Sequence, residues 1–234
     1  MYNMKIKEFS YDTLPSYSFI CLVSKRRSGK STAIKDLVYN YFIKEKKYRR
    51  IYVFSPTARL TKDYSFIQDE YIYEDFDEEV VNNIIEIQKE DIEKDPKSKQ
   101  LNTLLILDDV ANSMDRKTID LVGKVSAMGR HIRCSVLFAS QNFKKEISPL
   151  IRTNLDFLIM WKQSNMDTNK DIMVQWLGAS QNNKKEAISI IETVPVKFRC
   201  LVIDNTSTDS NLENYVFHYT FKEKSIPKDY KFYR

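Results

Sequence analysis

Ser18-Phe19-Ile20-Cys21-Leu22-Val23-Ser24-Lys25-Arg26-Arg27-Ser28-Gly29-Lys30-Ser31-Thr32 is an apolar run that feeds a short basic loop ending in Gly-Lys-Ser-Thr. Behind it, Ile34, Leu37, Val38, Tyr41 and Phe42 are spaced to share one face of a helix over 30–46. Strand, loop and helix in that order are the context a phosphate-binding loop needs. Backbone N–H groups of the loop and the helix N-terminus then point at an anion, and the helix dipole favours negative charge there. In such a loop Lys30 reaches the β- and γ-phosphates of a nucleotide, and the Ser31 hydroxyl ligates Mg²⁺. Ser24, Lys25, Arg26, Arg27, Ser28, Gly29, Lys30, Ser31 and Thr32 make up the candidate nucleotide-binding segment. The pattern departs once: Ser24 stands where glycine is usual, which leaves the shape of the turn open.

A second stretch gives the loop its chemical counterpart. Thr103-Leu104-Leu105-Ile106-Leu107-Asp108-Asp109 is an apolar strand ending in two carboxylates. Asp108 is placed to hold Mg²⁺, and Asp109 to orient and activate water. Cys134 to Ala139 is another apolar strand, ending in Ser140-Gln141. The Gln141 amide could contact a γ-phosphate or position water, or it could simply hydrogen-bond a strand end.

The 234 residues suggest one domain with a modest extension, and 42% hydrophobic with 29% charged residues reads as a folded chain. No apolar run approaches the roughly 18 residues needed to cross a bilayer, so no membrane span is expected. The first residues have no signal-peptide core, which points to cytosol or nucleoplasm. Cys21, Cys134 and Cys200 each lie in or beside an apolar segment and read as buried thiols. Two histidines, His131 and His218, are too few and too separated to suggest a metal site. A net charge of +5 is compatible with a polyanionic partner.

Along the rest of the chain, 1–17 read as a lead-in, with an edge strand packed through Phe9 and Tyr11. Ile51 to Ser55 is a second strand, and the region to about 76 reads as a polar, aromatic-rich connection. Residues 77–94 read as a helix with Val80, Val81, Ile84, Ile85 and Ile87 along one side, and 115–129 as another that Gly129 can stop. Residues 147–154 cross back to a fifth strand, Leu155 to Trp161, interrupted by Asp156. Helices over 167–177 and 181–192, a strand over 198–204 and a late strand over 215–221 follow, then a basic tail. The expected division is a lead-in over 1–17, a P-loop domain over 18–204, and a C-terminal strand and tail over 205–234.

Val23 to Thr32, Val53 to Thr57, Leu105 to Asp109, Gly129-Arg130-His131, Ser135 to Gln141 and Ile151-Arg152-Thr153-Asn154 occur in an order and spacing with a familiar look. They resemble the genome-packaging ATPases of large eukaryotic DNA viruses and their virophages, the poxvirus-type branch of the FtsK–HerA superfamily. The resemblance covers residues 18–162. It implies an α/β, RecA-like fold whose five core strands run 5-1-4-3-2 in a mainly parallel sheet flanked by helices, with C-terminal β additions. That order sets Gln141 between the phosphate loop and Asp108 and makes it a sensor candidate. The resemblance further implies Mg-dependent ATP hydrolysis in a homo-oligomeric ring with ATP at subunit interfaces. Arg152, then Arg130, are the candidates for an arginine that completes the neighbour's site. The implied partners are double-stranded DNA, contacted on its backbone, and a viral capsid vertex, in host cytoplasm or viral factory and in association with the virion. Two other classes stay open: another P-loop helicase or plasmid-mobility ATPase, and a non-catalytic nucleotide-dependent assembly protein.

Overall fold

Strands buried on both faces lose the polar–apolar alternation of half-exposed ones. The apolar runs of this chain are of that kind. In the computed structural model they form β2 (Phe19–Val23), β3 (Arg50–Phe54), β5 (Thr103–Asp108), β6 (Cys134–Ser140) and β7 (Phe157–Met160). Every residue of β2, β5, β6 and β7 is buried. The structure describes residues 6–45, 48, 50–97, 102–110, 115–141, 147–163, 166–177, 184–193 and 198–221.

These five strands pair in parallel as β7-β2-β6-β5-β3, which is the order 5-1-4-3-2. The two-residue β4 (Ile72–Tyr73) extends this core beside β3. On the other side β8 (Arg199–Asp204) runs antiparallel to β7, β9 (Val216–Thr220) antiparallel to β8, and β1 (Lys7–Glu8) parallel to β9. Among the described residues the result is one nine-stranded sheet with β1 and β4 at its edges.

Two apolar layers cover its faces. Phe19, Cys21 and Val23 of β2 join one, while Ile20 and Leu22 join the other. The first layer takes α3 (Glu78–Lys94), α4 (Arg116–Met128) and α5 (Pro149–Asn154). It also takes α6 (Met166–Trp176) and α7 (Lys184–Thr193). The second takes α1 (Lys30–Leu37), whose buried face continues through Tyr41 and Phe42. All three cysteines are buried free thiols, and burial raises Cys134 to about 12.

Local chemistry sets several boundaries. Asp77 caps α3 by accepting from the N–H groups of Glu79 and Val80, and Asp115 caps α4 by accepting from Thr118 N–H. Ser148 caps α5 with Pro149 in its first turn, so the stretch read as a crossing segment is helical. The region read as a connection to residue 76 holds α2 (Ala58–Thr61) and β4, both too short to leave a periodic signal. The helix expected over 30–46 changes after Leu37 to π geometry over Val38–Glu45. Ile87 is 45% exposed; the buried positions of α3 are Val81, Ile84, Ile85 and Gln88. Gly129 follows α4 in right-handed geometry. Its missing side chain matters for space: a Cβ there would lie 2.6 Å from the Cys134 carbonyl oxygen.

The described residues contain no helix long and apolar enough to cross a membrane. The basic tail beyond Phe221 lies outside the described residues, as do Lys46, Lys47 and Arg49 of the basic run after the first helix.

Candidate active site

Parallel β2, β5 and β6 end at the same edge, and that edge collects the candidate side chains. Ser24 extends β2 by one rung, donating its N–H to the Ser140 carbonyl at 3.1 Å. It does so without a left-handed backbone, so serine serves there as glycine would. The left-handed turns fall later, at Arg27 (φ 62°) and Gly29 (φ 92°). Lys25, Arg26 and Arg27 are exposed, while Ser28, Ser31 and Thr32 are half-buried. The residue that starts α1, Gly29, has no side chain to cap the helix. The first N–H groups of a helix have no partner within it, so this end is a ready anion site. Among the described residues Ser24 Oγ and Ser28 Oγ are buried without a hydrogen-bond partner. Leaving such groups unpaired costs about 1–3 kcal/mol each, a cost a bound anion can offset.

Lys30 is 9% exposed, and its ammonium lies between the strand-end carboxylates. Nζ is 3.0 Å from Asp108 Oδ1 and also pairs with Asp109 Oδ1. Asp109 has a left-handed backbone (φ 58°), and its N–H donates to the Ala139 carbonyl at 3.3 Å. The turn brings both carboxylates to one ammonium although neighbouring strand residues ordinarily face opposite ways. Gln141 Nε2 donates to Asp109 Oδ2 at 2.9 Å. Lys30, Asp108, Asp109 and Gln141 therefore form one cluster.

The sequence reading missed a fifth member. Tyr64 is fully buried and donates its hydroxyl to Asp108 Oδ2 at 2.9 Å. Burial first, then the adjacent Asp108 charge, push this phenol well above its ordinary range, so it remains a donor. Burial also raises Asp108, opposed by Lys30 and reinforced by Asp109. Lys35 of α1 pairs with Asp63 and ties the Tyr64 segment to the helix after the loop. The only sequence signal for Tyr64 was its place in an aromatic-rich stretch between the second and third core strands.

The donor chemistry fits a hard cation. Among the described residues no three His, Cys, Asp or Glu side chains converge as a metal cage. Mg²⁺ commonly takes one or two carboxylates, waters and substrate phosphates instead, for which the Asp108 carboxylate and Ser31 hydroxyl are suited.

Arg130 and Arg152 lie elsewhere. Arg130 Nη2 is 3.1 Å from Asp156 Oδ1, and Asp156 Oδ2 accepts from Phe19 N–H at 2.7 Å. That is the edge where β2 begins, roughly 15–20 Å from the loop at its far end. Arg152 Nε donates to the Ile147 carbonyl at 2.9 Å, and Nη1 to Gln175 Oε1 at 3.3 Å. Asp156, read as an interruption, anchors the first residue of β2 and takes Arg130 as its ion-pair partner.

The sheet order, the loop on its carboxyl edge and the flanking helices define the RecA-like P-loop NTPase fold. Solved structures share it. The DNA-packaging ATPase B204 of Sulfolobus turreted icosahedral virus aligns with a TM-score of 0.59 at 16% identity, over 91% of this chain and all of that one. The pCW3 conjugation coupling protein TcpA aligns with a TM-score of 0.54 at 13% identity, over 88% of this chain and 60% of that one. The chain belongs to the Poxvirus A32 protein family, whose model matches residues 6–232. An uncharacterized protein of Acanthamoeba polyphaga mimivirus is 23% identical over 96% of this chain and 80% of its own length. One of Invertebrate iridescent virus 3 is 28% identical over 86% of this chain and 75% of its own.

Proposed function

We propose that this chain is an ATP-driven motor that moves double-stranded DNA into a preformed viral capsid. The observation that carries the reading is Lys30 held between Asp108 and Asp109 at the start of α1, where Gly29 has no side chain to cap the helix. Membership of the Poxvirus A32 protein family supports it, as does the fold shared with a viral DNA-packaging ATPase.

Each residue has a task in this reading. Lys30 leaves the carboxylates for the β- and γ-phosphates of ATP, held by loop N–H groups of residues 24–32. Ser31 and Asp108 would hold Mg²⁺, which would neutralise charge on the phosphates. Tyr64 fixes one oxygen of Asp108 and so orients the other. Asp109, freed of Lys30, orients and polarises the attacking water. Gln141 follows the state of Asp109 through their hydrogen bond and relays it along β6. Arg152 and Arg130 act in trans within a homo-oligomeric ring seated at a capsid vertex. The chain works in host cytoplasm or viral factory and associates with the virion.

DNA contact falls on the backbone, so it tolerates sequence and weakens with salt. Duplexes of unrelated sequence should stimulate ATP turnover, and stimulation should fall steeply as salt rises. Turnover indifferent to duplex DNA at low salt, in an oligomer that hydrolyses ATP, rules out the motor.

A further inference from the structure

We propose that Phe198 is the platform on which the base of a nucleotide stacks when its phosphates occupy the Lys30 loop. The inference rests on the nucleotide reading above and adds a base site to it.

The contact series starts at the loop. Phe221, just past β9, is 2% exposed and packs on Gly29, where a Cβ would come 2.9 Å from the phenyl Cζ. Its ring is held by Trp161 at 5.7 Å and Tyr219 at 6.3 Å between centroids. Phe198 meets Phe221 edge-on, at 6.0 Å and 77°, and its carbonyl accepts from Phe221 N–H at 3.1 Å. A fixed aromatic thus links the loop backbone to a second ring.

That second ring differs from its neighbours. Phe198 is 42% exposed, while Trp161, Tyr219 and Phe221 are buried. It also has a left-handed backbone, φ 62°, a conformation that costs energy for a bulky residue and clusters at ligand sites. A partly exposed aromatic ring thus stands one buried ring away from the phosphate loop. A bound nucleotide places its base one sugar away from its phosphates, a separation of the same order. Aromatic rings hold any base by its π-face, so the site takes a nucleoside triphosphate through stacking.

The test compares ATP with inorganic tripolyphosphate, by calorimetric titration of wild type, Phe198→Ala, Phe198→Trp and Lys30→Ala. Loss of one stacking partner is worth about 5- to 150-fold in affinity. Phe198→Ala should weaken ATP by that factor and leave tripolyphosphate within about twofold, which also reports an intact loop; Phe198→Trp should restore ATP. Lys30→Ala should lose both ligands. Unchanged ATP affinity in Phe198→Ala, with Lys30→Ala inactive in binding, overturns the base site and leaves the phosphate site standing. Equal weakening of both ligands by Phe198→Ala also overturns it, because the ring then serves the loop. Wild type that binds neither ligand overturns the phosphate site and the base site together.

Discussion

Tyr64→Phe removes one oxygen from the protein and keeps the ring that packs beneath it. The deleted hydroxyl donates to Asp108 Oδ2 at 2.9 Å from a fully buried position. Hydrogen bonds to charged groups contribute about 1.5–3 kcal/mol, and the variant leaves a carboxylate oxygen buried without that donor. For a domain of this size that is a melting temperature lower by about 3–12 °C. Loss of the donor should also raise Asp108 further, because the bond favours the ionised form. Thermal denaturation of nucleotide-free protein measures the first effect, and the Mg²⁺ concentration needed for half-maximal turnover measures the second, which should rise. A double-mutant cycle with Asp108→Asn isolates the pair. If Tyr64→Phe melts with wild type and needs no more Mg²⁺, Tyr64 does not support Asp108.

Four further outcomes are expected. Asp109→Asn should keep nucleotide binding and lose turnover, while Asp108→Asn should weaken Mg²⁺-dependent binding as well; identical behaviour in titration and turnover would reject the division of roles. In nucleotide-free protein the raised Asp108 takes up a proton on folding between its ordinary and raised values, so its contribution favours folding more as pH falls through that window. Asp108→Asn should remove this slope from melting temperature against pH. Arg152→Ala and Lys30→Ala subunits should each be inactive alone but regain turnover in mixed rings, since known trans arginines are worth about 10³-fold or more; mixed rings as dead as their parents exclude Arg152, and Arg130→Ala is then tested likewise. Gly129→Ala should cost about 1–3 kcal/mol by forcing its Cβ against the Cys134 carbonyl, read by denaturant titration; an unchanged midpoint would contradict that close approach.

The strands were legible because a strand buried on both faces is a continuous apolar run, as in Phe19 to Val23 and Leu104 to Leu107. Their order was not in the periodicity; it came with the resemblance, since no local pattern encodes which strand lies beside which. Lys30, Asp108, Asp109 and Gln141 were legible because each sits at a strand end or helix start that a motif marks. Tyr64 was not, because its role depends on a loop folding back onto β5, a contact spanning 44 positions. Asp156 looked like a break in a strand because its partners, Phe19 N–H and Arg130, are distant in sequence. Helix α5 carried a readable Ser-Pro start, but its six residues are too few to show a helical period.

The pairing of β1 with β9 sets a timetable for synthesis. Lys7 pairs with Phe217, so this residue waits for a partner made 210 residues later. At about 5–20 residues per second a ribosome needs roughly 10–40 s to bridge that interval. Over the same interval the phosphate loop exists with its Gly29 uncovered, because Phe221 emerges later still. Cotranslational folding can therefore complete the parallel core, but closing the sheet is among its last steps. A nascent chain stalled before β9 exposes the flank of β8, an unpaired edge open to other chains. Ribosome pausing upstream of β9, more than any weakness of the finished fold, is where aggregation of this protein should begin.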